Sequence, residues 1–161
     1  MTTQVLEIPA HEKQRLFAAD PASVVALVGG KGSGKTRAGA LKALAYCGVH
    51  PGAAGIVTAP TYDMLSLPQA TIDTYRGVFA PIEAAWHKVD KVLTTTHGHS
   101  IFFRSTDDPE HLRGPSLAFF HMDEGARSPY EAFQELVSRL RGSPGPQGWI
   151  TTTPVGLNWV Y

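Results

Sequence analysis

Gly29-Gly30-Lys31-Gly32-Ser33-Gly34-Lys35-Thr36 fits the spacing G-x-x-x-x-G-K-S/T. Each residue type in this run answers a need of phosphate chemistry. Glycines let backbone N–H groups turn inward around anionic oxygens. A helix starting here would aim its positive end at the same anion. Lys35 has the reach to touch the β- and γ-phosphates of a nucleotide, and the Thr36 hydroxyl is a hard oxygen suited to Mg2+. Lys31 adds a second positive charge beside the γ-phosphate. The species handled would be ATP with Mg2+.

A second group lies downstream. The apolar run at residues 117–122 ends in Asp123-Glu124. A buried strand with two carboxylates at its carboxyl end delivers them to the crevice where ligands bind in parallel sheets. Asp123 would hold Mg2+, directly or through water. Glu124 would orient and deprotonate an attacking water. Glu124 separates two chemistries, because a hydrolase needs such a base and a small-molecule kinase does not.

Weaker signals surround these two. Thr151, Thr152 and Thr153 end a strand ahead of Pro154. That is either a common Thr-rich strand end or a place where hydroxyls sense a γ-phosphate. By pattern alone Gln14 is an exposed helix glutamine, although its paired donor and acceptor also match an adenine edge. Arginine is the natural partner of a transferring phosphate, and the candidates are Arg104, Arg113, Arg127, Arg139 and Arg141. Arg139 and Arg141 close a helix, where a cation is stabilising in any case.

These groups need elements to position them. A helix-like pattern at 5–18 follows from the spacing after Pro9. Residues 23–28 read as a buried strand ending in glycines, and 35–47 as a helix rich in Ala, Leu and Lys. A second strand is expected at 55–59, and helix over 63–79 with a break near Pro68. Residues 92–96 and 100–104 flank His97-Gly98-His99 as a hairpin. A strand at 117–122, a helix at 129–141 with Pro129 near its first turn, a loop at 143–148 and a strand at 149–153 complete the pass. Strands alternating with helices, and apolar strands without polar alternation, predict an α/β fold: a mostly parallel sheet with helices on both faces.

Composition narrows the class. The 161 residues make one domain, with 14 basic and 14 acidic side chains that cancel. Contact with nucleic acid would therefore depend on local basic patches. Cys47 is the single cysteine, which rules out an intrachain disulfide and fits a reducing compartment. No secretory leader opens the chain, and no apolar run reaches membrane-spanning length. The seven histidines lack metal-ligand spacing.

Taken together, the segments resemble the ATPase domain of terminase large subunits from tailed phages, an ASCE-type P-loop NTPase. The resemblance runs from residues 8–17 to Tyr161. It is carried by Lys31 within the phosphate loop, Thr58-Ala59-Pro60-Thr61-Tyr62 after the second strand, Leu112-Arg113-Gly114 before the acidic strand, Asp123-Glu124-Gly125-Ala126, and Thr152-Thr153-Pro154 with Gly156. It implies that Gln14 reads adenine and that Gly29, Gly30, Lys31, Gly32, Ser33, Gly34, Lys35 and Thr36 cradle ATP. It further implies that Thr36 and Asp123 hold Mg2+, that Glu124 is the catalytic base, and that Thr151–Thr153 couple hydrolysis to movement.

An arginine, with Arg139 first in line, would act on a neighbouring subunit's ATP in a ring. Double-stranded DNA, the small terminase subunit and the portal would be the partners, in the host cytoplasm at the prohead. Residues 1–161 would form a C-terminally incomplete ATPase domain, without the family's nuclease domain. The coupling strand would lie between the two motif-bearing strands. The strand at 24–28 would be under-covered on one edge, unless residues 2–8 or another chain pair with it. The rivals are another P-loop ATPase, such as a helicase core, and a nucleotide-binding interaction module with little hydrolysis of its own.

Overall fold

The computed structural model describes residues 5–141 and 145–161. The chain alternates helices and strands: α1 (Glu12–Ala19), β1 (Val24–Val28), α2 (Lys35–Val49), β2 (Ala54–Ala59), α3 (Tyr62–Ser66), α4 (Thr71–Phe79), β3 (Ala85–His87), β4 (Val92–Thr94), β5 (Ser100–Ser105), β6 (Phe119–Asp123), α5 (Tyr130–Arg139) and β7 (Gln147–Thr152). Among the described residues the strands form one sheet in the order β1-β7-β6-β2-β5-β4-β3. From β1 to β5 all neighbours are parallel, and β4 and β3 add an antiparallel margin. Strand β7, which carries the threonines expected to couple hydrolysis to movement, lies between β1 and β6, as expected.

The pleat assigns each side chain to a layer. Phe119, Trp149, Val57, Ile101 and Phe103 join the core beneath α1, α2, α3 and α4. Their neighbours Phe120, Met122, Ile150 and Ile56 point the other way, onto Leu136 and Ala132 of α5. Helices therefore cover both faces, and the central strands β6 and β7 are almost wholly buried. At the margin β1 is paired with β7 alone among the described residues, and Val24 and Val28 are each 40% exposed. Residues 5–8 do not pair with it, so one backbone edge is open; residues 2–4 lie outside the described set.

Several boundaries moved for local reasons. The first helix starts at Glu12 because His11 caps it: the His11 ring accepts from the Gln14 N–H, and the Gln14 side chain accepts from the His11 N–H. The expected break near Pro68 separates α3 from α4, with Gln69 in left-handed backbone at φ 63. Leu117 pairs with Leu140 in an isolated bridge, so β6 starts at Phe119. Strand β7 starts at Gln147, inside the expected loop, of which residues 142–144 lie outside the described set. Strand β3 was not expected; three residues are too few for a period.

Cys47 is buried, and burial pushes its thiol up to about 12. No helix among the described residues is long and apolar enough to cross a membrane. Lys42 is also buried. Its ammonium donates to the carbonyls of Phe17 (3.1 Å) and Asp20 (2.6 Å), capping the end of α1. Burial lowers its pKa, and Asp20 pulls it back up. Lys42→Met keeps the stem and strands two carbonyls, so a loss of about 1–2 kcal/mol in denaturant unfolding is expected.

Candidate nucleotide site

The phosphate loop links the end of β1 to the start of α2. Gly29 N–H donates to the Thr152 carbonyl at 3.1 Å, tying the loop's entry to the end of β7. Lys35 Nζ donates to the Gly30 carbonyl at 2.8 Å, which holds the ammonium across the loop. Gly34 takes left-handed backbone at φ 79 and caps α2 without a side-chain acceptor. The first-turn N–H groups of α2 are thus left for an anion. A Cβ at Gly34 would also lie 2.7 Å from Gln14 Nε2, so both conformation and space call for glycine.

Asp123 is the hub of the site. The residue is 4% exposed. It accepts from the hydroxyls of Thr36 (2.9 Å to Oδ2), Thr71 (2.7 Å) and Thr151 (2.7 Å), and from the Glu124 N–H (3.2 Å). Register explains Thr151: it sits directly opposite Asp123 across the β6–β7 ladder. A buried carboxylate beside the threonine that starts the loop helix is a hard-oxygen donor set, which suits Mg2+.

Glu124 follows in left-handed backbone, φ 51 and ψ 40. For a non-glycine residue that conformation costs about 1–2 kcal/mol, and such strain concentrates at functional positions. The three threonines divide the site among them. Thr151 serves Asp123. The Thr152 hydroxyl accepts from Ala126 N–H at 3.1 Å, bracing the turn after Glu124, and Thr153 donates to Glu124 Oε1 at 3.4 Å.

Two expected residues have different surroundings from those anticipated. Gln14 is buried, not exposed, and its amide is engaged at both ends: Nε2 donates to the Gly34 carbonyl at 3.1 Å and Oε1 accepts from His11 N–H at 3.2 Å. It joins α1 to the phosphate loop, and one amide hydrogen is left for a base. Arg139, expected to act on a neighbouring subunit's ATP, lies away from the site of its own subunit and is held by local carbonyls. Its Nη1 donates to the Leu112 carbonyl and its Nε to the Pro115 carbonyl at 3.0 Å. It lies beside Leu117, at the opposite end of β6 from Asp123, roughly 20 Å away along the strand. Burial lowers its pKa, Glu135 raises it and Arg104 lowers it.

The other candidate arginines lie as follows. Arg104 donates to the carbonyls of Asp90, Lys91 and Phe103, and Arg141 to that of Ser138. Arg127 is exposed, and Arg113 is exposed with an ion pair to Glu110 at 3.1 Å. Lys31 is exposed on the loop.

Sequence reasoning missed Thr71, Tyr75 and His121. A signal existed for His121: two residues before Asp123 in a strand, it must share that carboxylate's face. Burial pushes its pKa down to about 4 against the pull of Asp123, so the ring is neutral at neutral pH. Thr71 and Tyr75 carried no local signal.

Residues 26–161 match the family model described as terminase large subunit, T4likevirus-type, N-terminal. The terminase large subunits of Thermus phage G20c and Thermus virus P23-45 are each 28% identical over 150 residues, covering 82% of this chain and 31% of the relative. The chain spans about a third of the length of these curated relatives. The solved large terminase of a thermophilic bacteriophage superposes with a TM-score of 0.78 at 17% identity, over 91% of this chain and 40% of that one. Its complex with ADP gives 0.72 at 19%, over 89% and 39%. The large terminase ATPase domain of Thermus phage P74-26 gives 0.71 at 23%, over 94% and 67%.

Proposed function

We propose, from the premise that this chain belongs to the family of N-terminal domains of T4-like terminase large subunits, that it hydrolyses ATP to drive double-stranded DNA into a viral prohead. The carrying observation is the convergence of Thr36, Asp123, Glu124 and Thr151–Thr153 beside the phosphate loop. A relative solved with ADP supports the same reading.

Backbone N–H groups of residues 29–36 and the start of α2 would hold the phosphates, with Lys35 neutralising charge that builds on the γ-phosphate. Thr36 and Asp123 would hold Mg2+, which supplies positive charge to the phosphate oxygens. Glu124, aimed by its left-handed backbone and by Thr153, accepts the proton of the attacking water. Loss of the γ-phosphate is felt at the three threonines. Through the Thr152 contacts to Gly29 and Ala126, that loss changes how β7 is tied to both motifs. We place the ATPase alone within residues 1–161. The small terminase subunit and the portal are its proposed partners, in the host cytoplasm at the prohead.

No arginine side chain hydrogen-bonds to Asp123 or ion-pairs with Glu124 among the described residues, and we infer that a neighbour in a ring supplies one. Arg139 is committed to two loop carbonyls, whereas Arg113 stands on the surface. The test is ATP turnover per chain against protein concentration. Turnover is expected to rise with concentration, and Arg113→Ala to abolish the rise, about a hundredfold or more at saturation. Arg139→Ala is expected mainly to lower stability. Bound ATP with a background rate at every concentration would make the chain a nucleotide-binding module. Absence of ATP binding would overturn the reading.

A further inference from the structure

A file of hydrogen bonds runs from α4 to Asp123 beneath the loop helix. The Tyr75 hydroxyl lies 2.7 Å from His121 Nδ1, His121 Nε2 lies 2.7 Å from Thr151 Oγ1, and Thr151 Oγ1 lies 2.7 Å from Asp123 Oδ1. All four side chains are buried.

Counting protons fixes the direction. Asp123 accepts from Thr36, Thr71, Thr151 and the Glu124 N–H, which calls for an ionised carboxylate. Thr151 has one hydroxyl proton, and it goes to Asp123. The Thr151 oxygen must then accept from His121, so Nε2 carries the ring proton. In a neutral ring Nδ1 is then bare and accepts from Tyr75. Every donor in the file therefore points toward Asp123.

We propose that His121 and Tyr75 are positioning residues for the metal-binding carboxylate. They hold the Thr151 hydroxyl as a donor to Oδ1. This fixes the orientation of the Asp123 carboxylate, which together with the Thr36 oxygen would hold Mg2+. Thr151 is the partner one step behind the metal ligand, where a loss typically costs about 10- to 100-fold in metal affinity, and His121 and Tyr75 act on it from behind. The Tyr75 ring also packs on Phe79 and Phe103, so α4 is joined to the carboxylate by both packing and the file.

The test compares Tyr75→Phe, Thr151→Val and Thr151→Ser with the native chain. Ring 15N spectra are expected to show His121 protonated at Nε2 with Nδ1 bare in the native protein. In Tyr75→Phe the Nδ1 signal should move as its donor is lost. Binding of a non-hydrolysable ATP analogue in Mg2+ is expected to weaken roughly tenfold in Thr151→Val, to recover in Thr151→Ser, and to weaken by a smaller factor in Tyr75→Phe. In EDTA Tyr75→Phe should bind as the native chain does.

Equal losses with and without Mg2+, no loss at all, failure of serine to rescue, or an Nδ1-protonated ring would overturn the proposal. The nucleotide measurements rest on the ATPase reading above, and the tautomer does not. If the native chain binds no nucleotide in either buffer, the ATPase reading fails and the ring spectrum alone decides the file.

Discussion

Glu124→Gln is expected to bind ATP as tightly as the native chain and to hydrolyse it roughly a thousandfold more slowly. The substitution removes the ability to take a proton and little else. Glutamine has the same length, tolerates the same left-handed backbone as poorly, and still offers an oxygen to the Thr153 hydroxyl. Asp123, which accepts the Glu124 backbone N–H, is untouched. A thousandfold loss is about 4 kcal/mol of transition-state stabilisation, within the range of one positioned base. The checks are single-turnover hydrolysis and analogue binding, measured under conditions where the native rate is highest. A variant that keeps more than about a tenth of the native rate would remove Glu124 from the base role.

Gly39→Ala is expected to lower stability by about 3 kcal/mol, while Gly48→Ala on the same helix raises it by up to about 1 kcal/mol. A Cβ at Gly39 would lie 2.2 Å from Cε1, 2.4 Å from Nε2 and 2.8 Å from Nδ1 of His121. That ring cannot step aside, because Tyr75 holds one nitrogen and Thr151 the other. Trp149 also holds α2 against the sheet, donating from its indole to the Gly39 carbonyl at 3.2 Å. At Gly48 the space is open and the residue is exposed, so alanine contributes its better helix propensity unopposed. Paired denaturant curves give both values. Equal stability of the two variants would mean that α2 can lift from β6 without penalty, against this close packing. Gly39→Ala should also weaken Mg2+-dependent nucleotide binding, since any shift of His121 is passed to Thr151.

Most of the local chemistry was determined by the sequence alone. Gly34 followed by Lys35 and Thr36, at the junction of an apolar strand and an Ala-rich helix, has the spacing of a phosphate loop, legible because the glycines and the helix start act on neighbouring residues. Asp123-Glu124 at the end of an apolar run places carboxylates at a strand's carboxyl end whatever the rest of the fold does. The hairpin around Gly98 and the break near Pro68 were legible for the same reason: turn chemistry acts within a few residues.

Tertiary structure decided what depends on register and on helix packing. Thr71 and Asp123 are 52 positions apart, and only the docking of α4 beside β6 lets them meet. Gly125 packs against Ile150, where a Cβ would come within 2.5 Å, and Glu124 just before it takes a left-handed turn. Arg139 looked available as a helix-end cation, but α5 runs back to the far end of β6 and spends the guanidinium on the carbonyls of Leu112 and Pro115. Gln14 looked exposed until α1 packed its amide against Gly34. A side chain's partner across 20 or 120 residues is set by which strands lie side by side and in what register. That ordering is a property of the whole buried core, and no single segment carries it.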